Sequence, residues 1–139
     1  MYEGEVNYYN HSNKPKCVFV ENKELPLVSI DFWFKAGCVF EESDKNGTAH
    51  FLEHMIFKGS NKVMPGEFDH KIETLGGFSN ASTGYDDVHY YVLVPAVNFR
   101  ESFALLTNIV LSPSINIVEI EKEKSVVIDE IKQQNDQPD

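Results

Sequence analysis

Residues 50–54 have the sequence HFLEH, which places two histidines and a glutamate inside a largely apolar segment. Thr48 is a suitable N-cap for a helix that we predict to run to about Lys58. Residues advance by about 100° along a helix, so His50 and His54 leave it on one face, about 40° apart. Two imidazoles one turn apart can bind the same zinc ion at about 2.0–2.1 Å. The segment therefore predicts a metal-binding helix, because ionisable groups on an apolar helix are unfavourable without a partner.

Glu53 stands beside the two histidines of this helix. It is displaced by about 80° from the bisector of His50 and His54, on the side opposite to the glutamate of the H-E-x-x-H order. The two arrangements are near mirror images in helical projection. We therefore predict that Glu53 flanks the metal as a general base and is not itself a ligand.

A catalytic zinc site has three protein ligands and one open position, so a third ligand must come from elsewhere in the chain. The candidates are Glu119, Glu121, Glu123, Glu130, His70 and His89. Glu123 and Glu130 are seven residues apart and share a helix face to within about 20°. His70 falls off the apolar face of its helix, and His89 alternates within a strand, so both are weaker candidates. The pattern alone leaves Glu123 and Glu130 equally good.

The composition argues against several classes of function. The formal net charge is −10, from 22 acidic and 12 basic side chains. This argues against nucleic acid as a partner, because phosphate binding requires a positive surface. No apolar run approaches the roughly 20 residues of a membrane span, and the N-terminus does not resemble a signal peptide. We expect a cytoplasmic protein without a membrane partner.

Apolar periodicity predicts strands in pairs with helices between them. The predicted strands are 16–21, 27–36, 78–83 and 88–94, and the first two are joined by a short turn. The predicted helices after the first begin at Pro65, Asn98 and Asn116, with core stripes Phe68/Ile72/Leu75, Phe99/Phe103/Leu106/Val110 and Ile120/Val127/Ile131. This order predicts an α+β fold, a two-layer sandwich with helices packed on one face of a largely antiparallel sheet. Residues 1–139 are expected to form a single domain.

Cys17 and Cys38 are the only cysteines. Two thiols form neither a disulfide framework nor a thiolate zinc cluster. We expect both to be small buried hydrophobic residues, although the sequence leaves one bridge between them open.

Longer stretches around the pentapeptide make the chain similar to a known family. They are residues 34–41, GTAHFLEHMIFKG at 47–59, GGFSNAST at 76–83 and EKEKSVVIDEI at 121–131. In this order they resemble the inverzincin metallopeptidases of the pitrilysin, insulinase and mitochondrial processing peptidase family. The resemblance implies a two-layer α/β fold, in agreement with the pattern.

The resemblance also implies roles for individual residues. In the family the third ligand lies 76 positions after the second histidine, which selects Glu130 here. Glu123 then corresponds to a supporting acidic residue behind the ligands. The segment Ser79, Asn80 and Ala81 matches an edge strand that receives the substrate backbone by β-augmentation. The implied cofactor is zinc, one ion per chain.

These features together lead us to expect a zinc-dependent endopeptidase acting on short or unfolded peptides, with Glu53 activating the zinc-bound water. Family members are longer and pair this domain with others that close around the peptide. We therefore expect residues 1–139 to be an N-terminal peptidase domain, weakly active alone. Its expected partners are a C-terminal half, a partner subunit or a second copy in a dimer.

Two alternatives differ in function. S-ribosylhomocysteine lyases share an inverted motif, but their third ligand is a cysteine after it, whereas Cys17 and Cys38 both precede the motif. The other alternative is a non-catalytic zinc-binding or assembly subunit of a processing-peptidase-like complex. Such subunits typically lose motif residues, and here the motif residues are all present.

Overall fold

The computed structural model describes residues 5–10, 12 and 15–136 of the chain. The helices and strands of these residues are β1 (Val6–Tyr9), β2 (Cys17–Val20), β3 (Leu27–Phe34), α1 (Thr48–Ile56), α2 (Glu67–Thr74), β4 (Phe78–Thr83), β5 (Val88–Pro95), α3 (Phe99–Leu111) and α4 (Ile117–Asp136). Within this part of the chain, none of the helices has both the length and the apolar character that crossing a bilayer requires.

The main sheet contains three antiparallel strands in the order β3-β5-β4. In the central strand β5, Val88, Tyr90, Val92 and Val94 are buried and alternate with half-buried residues. The buried side chains pack against apolar residues of α1, α2 and α3. The helices therefore cover one face of an antiparallel sheet, and the predicted two-layer α+β fold is confirmed.

The strands predicted at 16–21 and 27–36 do not pair with each other. β2 and β3 both exist, but β2 pairs with β1 in a separate two-stranded antiparallel sheet. β1 was not predicted, because its four residues, Val-Asn-Tyr-Tyr, are too few for a distinct period-2 signal. Strand pairing is decided by contacts between strands, which the residues of one strand do not reveal.

Two predicted core stripes are shifted from the real ones. In α3, Leu106 and Val110 are buried as predicted, but Phe99 and Phe103 are 44% and 43% exposed. The buried face includes Ser102 and Leu105 instead. In α4, Val127 is buried while Ile131 is 45% exposed. Apolar residues cover more than one face of each helix, so periodicity alone does not identify the face that meets the core.

The expectation that both cysteines are buried is wrong. Cys17 and Cys38 are exposed and unpaired. Cys17 begins β2, whose four residues are all exposed, and Cys38 lies in the segment between β3 and α1. A small apolar side chain is buried only where its element packs on the core.

Candidate metal centre

The helix α1 begins at Thr48, one residue earlier than a Thr48 N-cap would require. Its N-cap is Gly47, which has a left-handed backbone (φ 92°) that favours glycine. The capping side chain comes from the preceding loop. The carboxylate of Glu41 accepts the backbone N–H groups of Ala49 (2.6 Å) and Gly47 (2.8 Å). These bonds lower the pKa of Glu41 below its ordinary value, because they stabilise the ionised form.

Three donor groups converge between α1 and α4. The Nε2 atoms of His50 and His54 are 3.3 Å apart. Glu130 places Oε2 at 3.3 Å from His54 Nε2 and Oε1 at 3.7 Å from His50 Nε2. The three side chains are half-buried, and one ligand atom from each lies within 4.8 Å of the others. The structure thus brings together the two histidines and the glutamate that the resemblance selects.

The spacing of these donors fits a small tetrahedral ion. Ligands at about 2.05 Å in a tetrahedral site are about 3.3 Å from one another. The two imidazole nitrogens are 3.3 Å apart, and the two oxygens of Glu130 lie 3.3 Å from Nε2 of His54 and 3.7 Å from Nε2 of His50, which is close to this spacing. Two imidazoles and one carboxylate are also a donor set found in catalytic zinc sites. The residues present therefore fit zinc, and the described part of the chain supplies three ligands where a tetrahedral ion takes four.

Glu123 supports the site from behind. Only 6% of this residue is exposed. Its Oε1 lies 2.9 Å from Nδ1 of His54, and its Oε2 lies 2.5 Å from Nζ of Lys58. Burial raises the pKa of Glu123, but the bonds from Lys58 and His54 outweigh burial and hold the pKa below its usual value. An ionised Glu123 accepts the Nδ1–H of His54, which leaves the lone pair of Nε2 directed at the other donors.

Glu53 lies at the side of the cluster and outside it. The hydroxyl of Thr83 donates a hydrogen bond to its Oε2. Thr83 is the last residue of β4, so the carboxylate of Glu53 is tied to the edge of the sheet. Close by, burial and the charge of Glu53 raise the pKa of Tyr90, which keeps the phenol neutral.

The sequence analysis missed two residues of the site, Lys58 and Thr83. Both lie inside stretches that resemble the family, at the end of GTAHFLEHMIFKG and of GGFSNAST. The similarity of those stretches to the family was therefore the signal that could have identified both residues. Their contacts depend on how α1, α4 and β4 pack, which the sequence does not show.

The predicted substrate segment lies on an edge strand. Among the described residues β4 pairs with β5 alone, so its other edge is open. Asn80 is exposed, and its Oδ1 accepts the backbone N–H of Ala81 at 2.9 Å. The hydroxyl of Ser79 instead donates to Asp69 of α2 at 2.9 Å.

The remaining ligand candidates lie elsewhere. His70 is exposed on α2, as expected. His89 lies on the helix-free face of the sheet, with Nδ1 at 3.1 Å from Oδ1 of Asp31. Glu119 pairs with Lys122 at 2.7 Å along its own helix. Of the described candidates, Glu123 and Glu130 are the carboxylates that meet the histidines of α1.

A helix-covered antiparallel sheet whose H-x-x-E-H helix faces a glutamate helix is the arrangement of an inverzincin-type metallopeptidase domain. The family model described as Insulinase (Peptidase family M16) matches residues 16–139. The chain belongs to this family.

Several known proteins are similar to it. The mitochondrial-processing peptidase subunit beta of Mus musculus is 33% identical over 113 residues, which are 81% of this chain and 23% of that protein. The uncharacterized zinc protease YmxG of Bacillus subtilis (strain 168) is 31% identical over 134 residues, 96% of this chain and 33% of that protein. A crystal structure of a protease from Helicobacter pylori superposes with a TM-score of 0.90 and 30% identity, covering 96% of this chain and 32% of that one. The chain therefore spans between a fifth and a third of the length of these relatives.

Proposed function

We propose that this chain is the zinc-binding unit of an endopeptidase, with His50, His54 and Glu130 as ligands of one zinc ion and Glu53 as the general base. The observation that carries the proposal is the convergence of two imidazole nitrogens and one carboxylate at distances of 3.3–3.7 Å, with Glu53 next to His54 on the same helix. Membership in a peptidase family and similarity to proteins named zinc proteases support it.

The chain's own residues supply the remaining chemistry. Zinc, when bound, polarises a carbonyl oxygen and lowers the pKa of a water to about 7. Glu53 then accepts the proton of the attacking water and delivers it to the leaving amine. Thr83 holds the carboxylate of Glu53 from the side of β4. Glu123 orients the ring of His54 by accepting its Nδ1–H.

The open edge of β4 supports a peptide in extended form as the substrate. An extended main chain that adds to an edge strand is held by backbone hydrogen bonds, largely regardless of its side chains. Asn80 and Ala81 would present this edge, with Ser79 anchoring the strand to α2 through Asp69. Most strands of a folded protein are already paired within its own sheets, whereas a short or unfolded peptide has an unpaired main chain, so we propose short or unfolded peptides.

We further propose that residues 1–139 act as one peptidase domain whose full activity requires additional chain or a partner subunit. The matched regions are 22%, 23% and 33% of three relatives, and two of the three are named as subunits. The isolated chain is then expected to cleave slowly.

The decisive experiment compares the zinc-loaded chain with Glu53→Gln, using an unstructured fluorogenic peptide at high protein concentration in single-turnover conditions. Glu53→Gln should retain about one zinc but hydrolyse about 10²- to 10⁴-fold more slowly, since it cannot accept the proton. Glu121→Gln removes an exposed glutamate of α4 and serves as the matched control, expected to behave like the unmodified chain.

Two results would overturn the assignment. Undiminished hydrolysis by Glu53→Gln would exclude Glu53 as the base. A chain that binds zinc but cleaves no peptide, alone or with the rest of the protein, would favour the alternative of a non-catalytic zinc-binding or assembly subunit.

A further inference from the structure

Lys58 lies one helical turn beyond His54, just past the end of α1. Its Nζ is 2.5 Å from Oε2 of Glu123, while Oε1 of the same carboxylate is 2.9 Å from Nδ1 of His54. The side chains of Lys58 and Glu123 are 29% and 8% exposed. The carboxylate thus joins the end of α1 to the middle of α4, with one oxygen on each partner.

A buried carboxylate is stable in its ionised form only when both oxygens have partners. If the ammonium group of Lys58 were absent, Oε2 of Glu123 would lose its charged partner. The carboxylate would then be free to rotate toward water, and this rotation would weaken its bond to His54. The ring of His54 would no longer be held in one orientation, although none of its direct contacts with the ion had been removed.

We propose that Lys58 is a positioning residue of the metal centre: it clamps Glu123 so that the ring of His54 presents Nε2 to the ion. This inference rests on the proposed zinc site and not on the peptidase activity. Lys58 acts through two other side chains, so its effect is on how firmly and in which orientation His54 binds.

The direction of the effect separates positioning from simple electrostatics. Removing a positive charge near a bound dication strengthens binding by Coulomb's law, because the repulsion is lost. Loss of the clamp weakens binding, because the ligand is no longer pre-oriented, and removal of such supporting groups typically lowers metal affinity 10- to 100-fold. The two explanations therefore predict opposite changes in zinc affinity when Lys58 is replaced by a neutral residue.

The test measures zinc affinity by competition with a chelator for the unmodified chain, Lys58→Met, Lys58→Arg and Lys62→Met. Lys58→Met keeps the length of the side chain and should bind zinc about 10-fold or more weakly. Lys58→Arg keeps the donor and should recover most of the affinity. Lys62→Met removes an exposed lysine just beyond α1 and should show no loss.

A second comparison keeps the test decisive if Lys58→Met folds poorly. Glu123→Gln removes the buried charge, so the double variant with Lys58→Met contains no unpaired ion. In the Glu123→Gln background, Lys58→Met should change zinc affinity by less than about twofold, because the clamp no longer has its carboxylate. An equal loss in both backgrounds would overturn the proposal, and so would unchanged or tighter binding by Lys58→Met.

A metal-free measurement distinguishes failure of this inference from failure of the proposed function. In nitrogen-15 spectra of the apo chain, the Nδ1–H signal of His54 should be sharp and should be lost or broadened in Lys58→Met only. A persistent signal in that variant would overturn the clamp even if the chain binds zinc. A chain with the clamp signature but no affinity for zinc would instead overturn the proposed function.

Discussion

His54 and His89 are each paired with a carboxylate, and the two side chains are exposed to the same extent. The side chains of His54 and His89 are both 21% exposed. Nδ1 of His54 is 2.9 Å from Glu123, and Nδ1 of His89 is 3.1 Å from Asp31. Burial and the immediate partner therefore do not distinguish them.

The difference is what surrounds the rest of each ring. Nε2 of His54 faces a second imidazole and the carboxylate of Glu130, both at 3.3 Å. The ring of His89 is stacked on Trp33, with centroids 4.1 Å apart, and lies parallel to Tyr91 at 5.7 Å. A histidine–carboxylate pair becomes a metal centre only where other donors converge on its second nitrogen. On the open face of the sheet the same pair is part of an aromatic row.

The largest expected effect is that of Glu130→Gln. Loss of the carboxylate removes one of three donors, and we expect zinc affinity to fall by more than the roughly 100-fold upper limit for supporting residues. Elemental analysis after dialysis should show about one zinc per unmodified chain and almost none in the variant. The control is His89→Gln, which removes an imidazole from the aromatic row and should retain the metal. Equal zinc content in Glu130→Gln and the unmodified chain would exclude Glu130 as a ligand.

Substitution of Glu123, the partner of His54, should weaken zinc binding, whereas substitution of Asp31, the partner of His89, should not. The effect should be smaller than that of Glu130→Gln. Glu123→Gln weakens the acceptor for the Nδ1–H of His54 and should lower zinc affinity about 10- to 100-fold. Asp31→Asn makes the equivalent change beside His89 and should leave zinc affinity unaltered. Chelator competition measures both. Equal zinc affinity in Glu123→Gln and Asp31→Asn would show that the carboxylate beside His54 matters no more for metal binding than the carboxylate beside His89.

The aromatic row should contribute to stability and not to metal binding. Trp33→Ala removes the ring stacked on His89, although Trp33 is 60% exposed. We expect the free energy of unfolding of the apo chain to decrease by about 0.5–1.5 kcal/mol, the usual range for such a ring pair. Urea denaturation measures it, and Trp33→Phe, which keeps a ring, should lose less. Weaker zinc binding by Trp33→Ala would show that the two faces of the sheet are coupled.

The smallest expected effect concerns the N-terminal cap of α1, the helix that carries His54. The folded-state pKa of Glu41 is lowered from 4.5 by its bonds to the N–H groups of Ala49 and Gly47. Its carboxylate therefore stabilises the fold above pH 4.5, and this contribution is lost as the pH falls through the lowered pKa. Glu41→Gln should melt at a lower temperature than the unmodified apo chain at neutral pH, and the difference should close in acid. Equal melting temperatures of Glu41→Gln and the unmodified chain at neutral pH would contradict this role of Glu41.

Much of the architecture follows from residues that are close in sequence. The period of β5 and the glycine stops after α1 and α2 are local, and these elements were predicted to within a few residues. The pairing of β2 with β1, the exposure of Phe99 and Phe103, and the cap from Glu41 depend on contacts with other elements. Periodicity identifies an apolar face but not the neighbour that it will meet.

The sequence by itself determined that α1 carries two histidines and a glutamate on adjoining faces, because a helix of fixed pitch converts spacing into direction. It left Glu123 and Glu130 equal, since both lie on the same face of α4, and family resemblance was needed to favour one. Only the tertiary structure decided that Glu130 lies between the histidines while Glu123 lies behind His54 against Lys58. The two helices are far apart in the chain, and their relative rotation and distance are set by the packing of α4 against α1, which neither segment encodes alone.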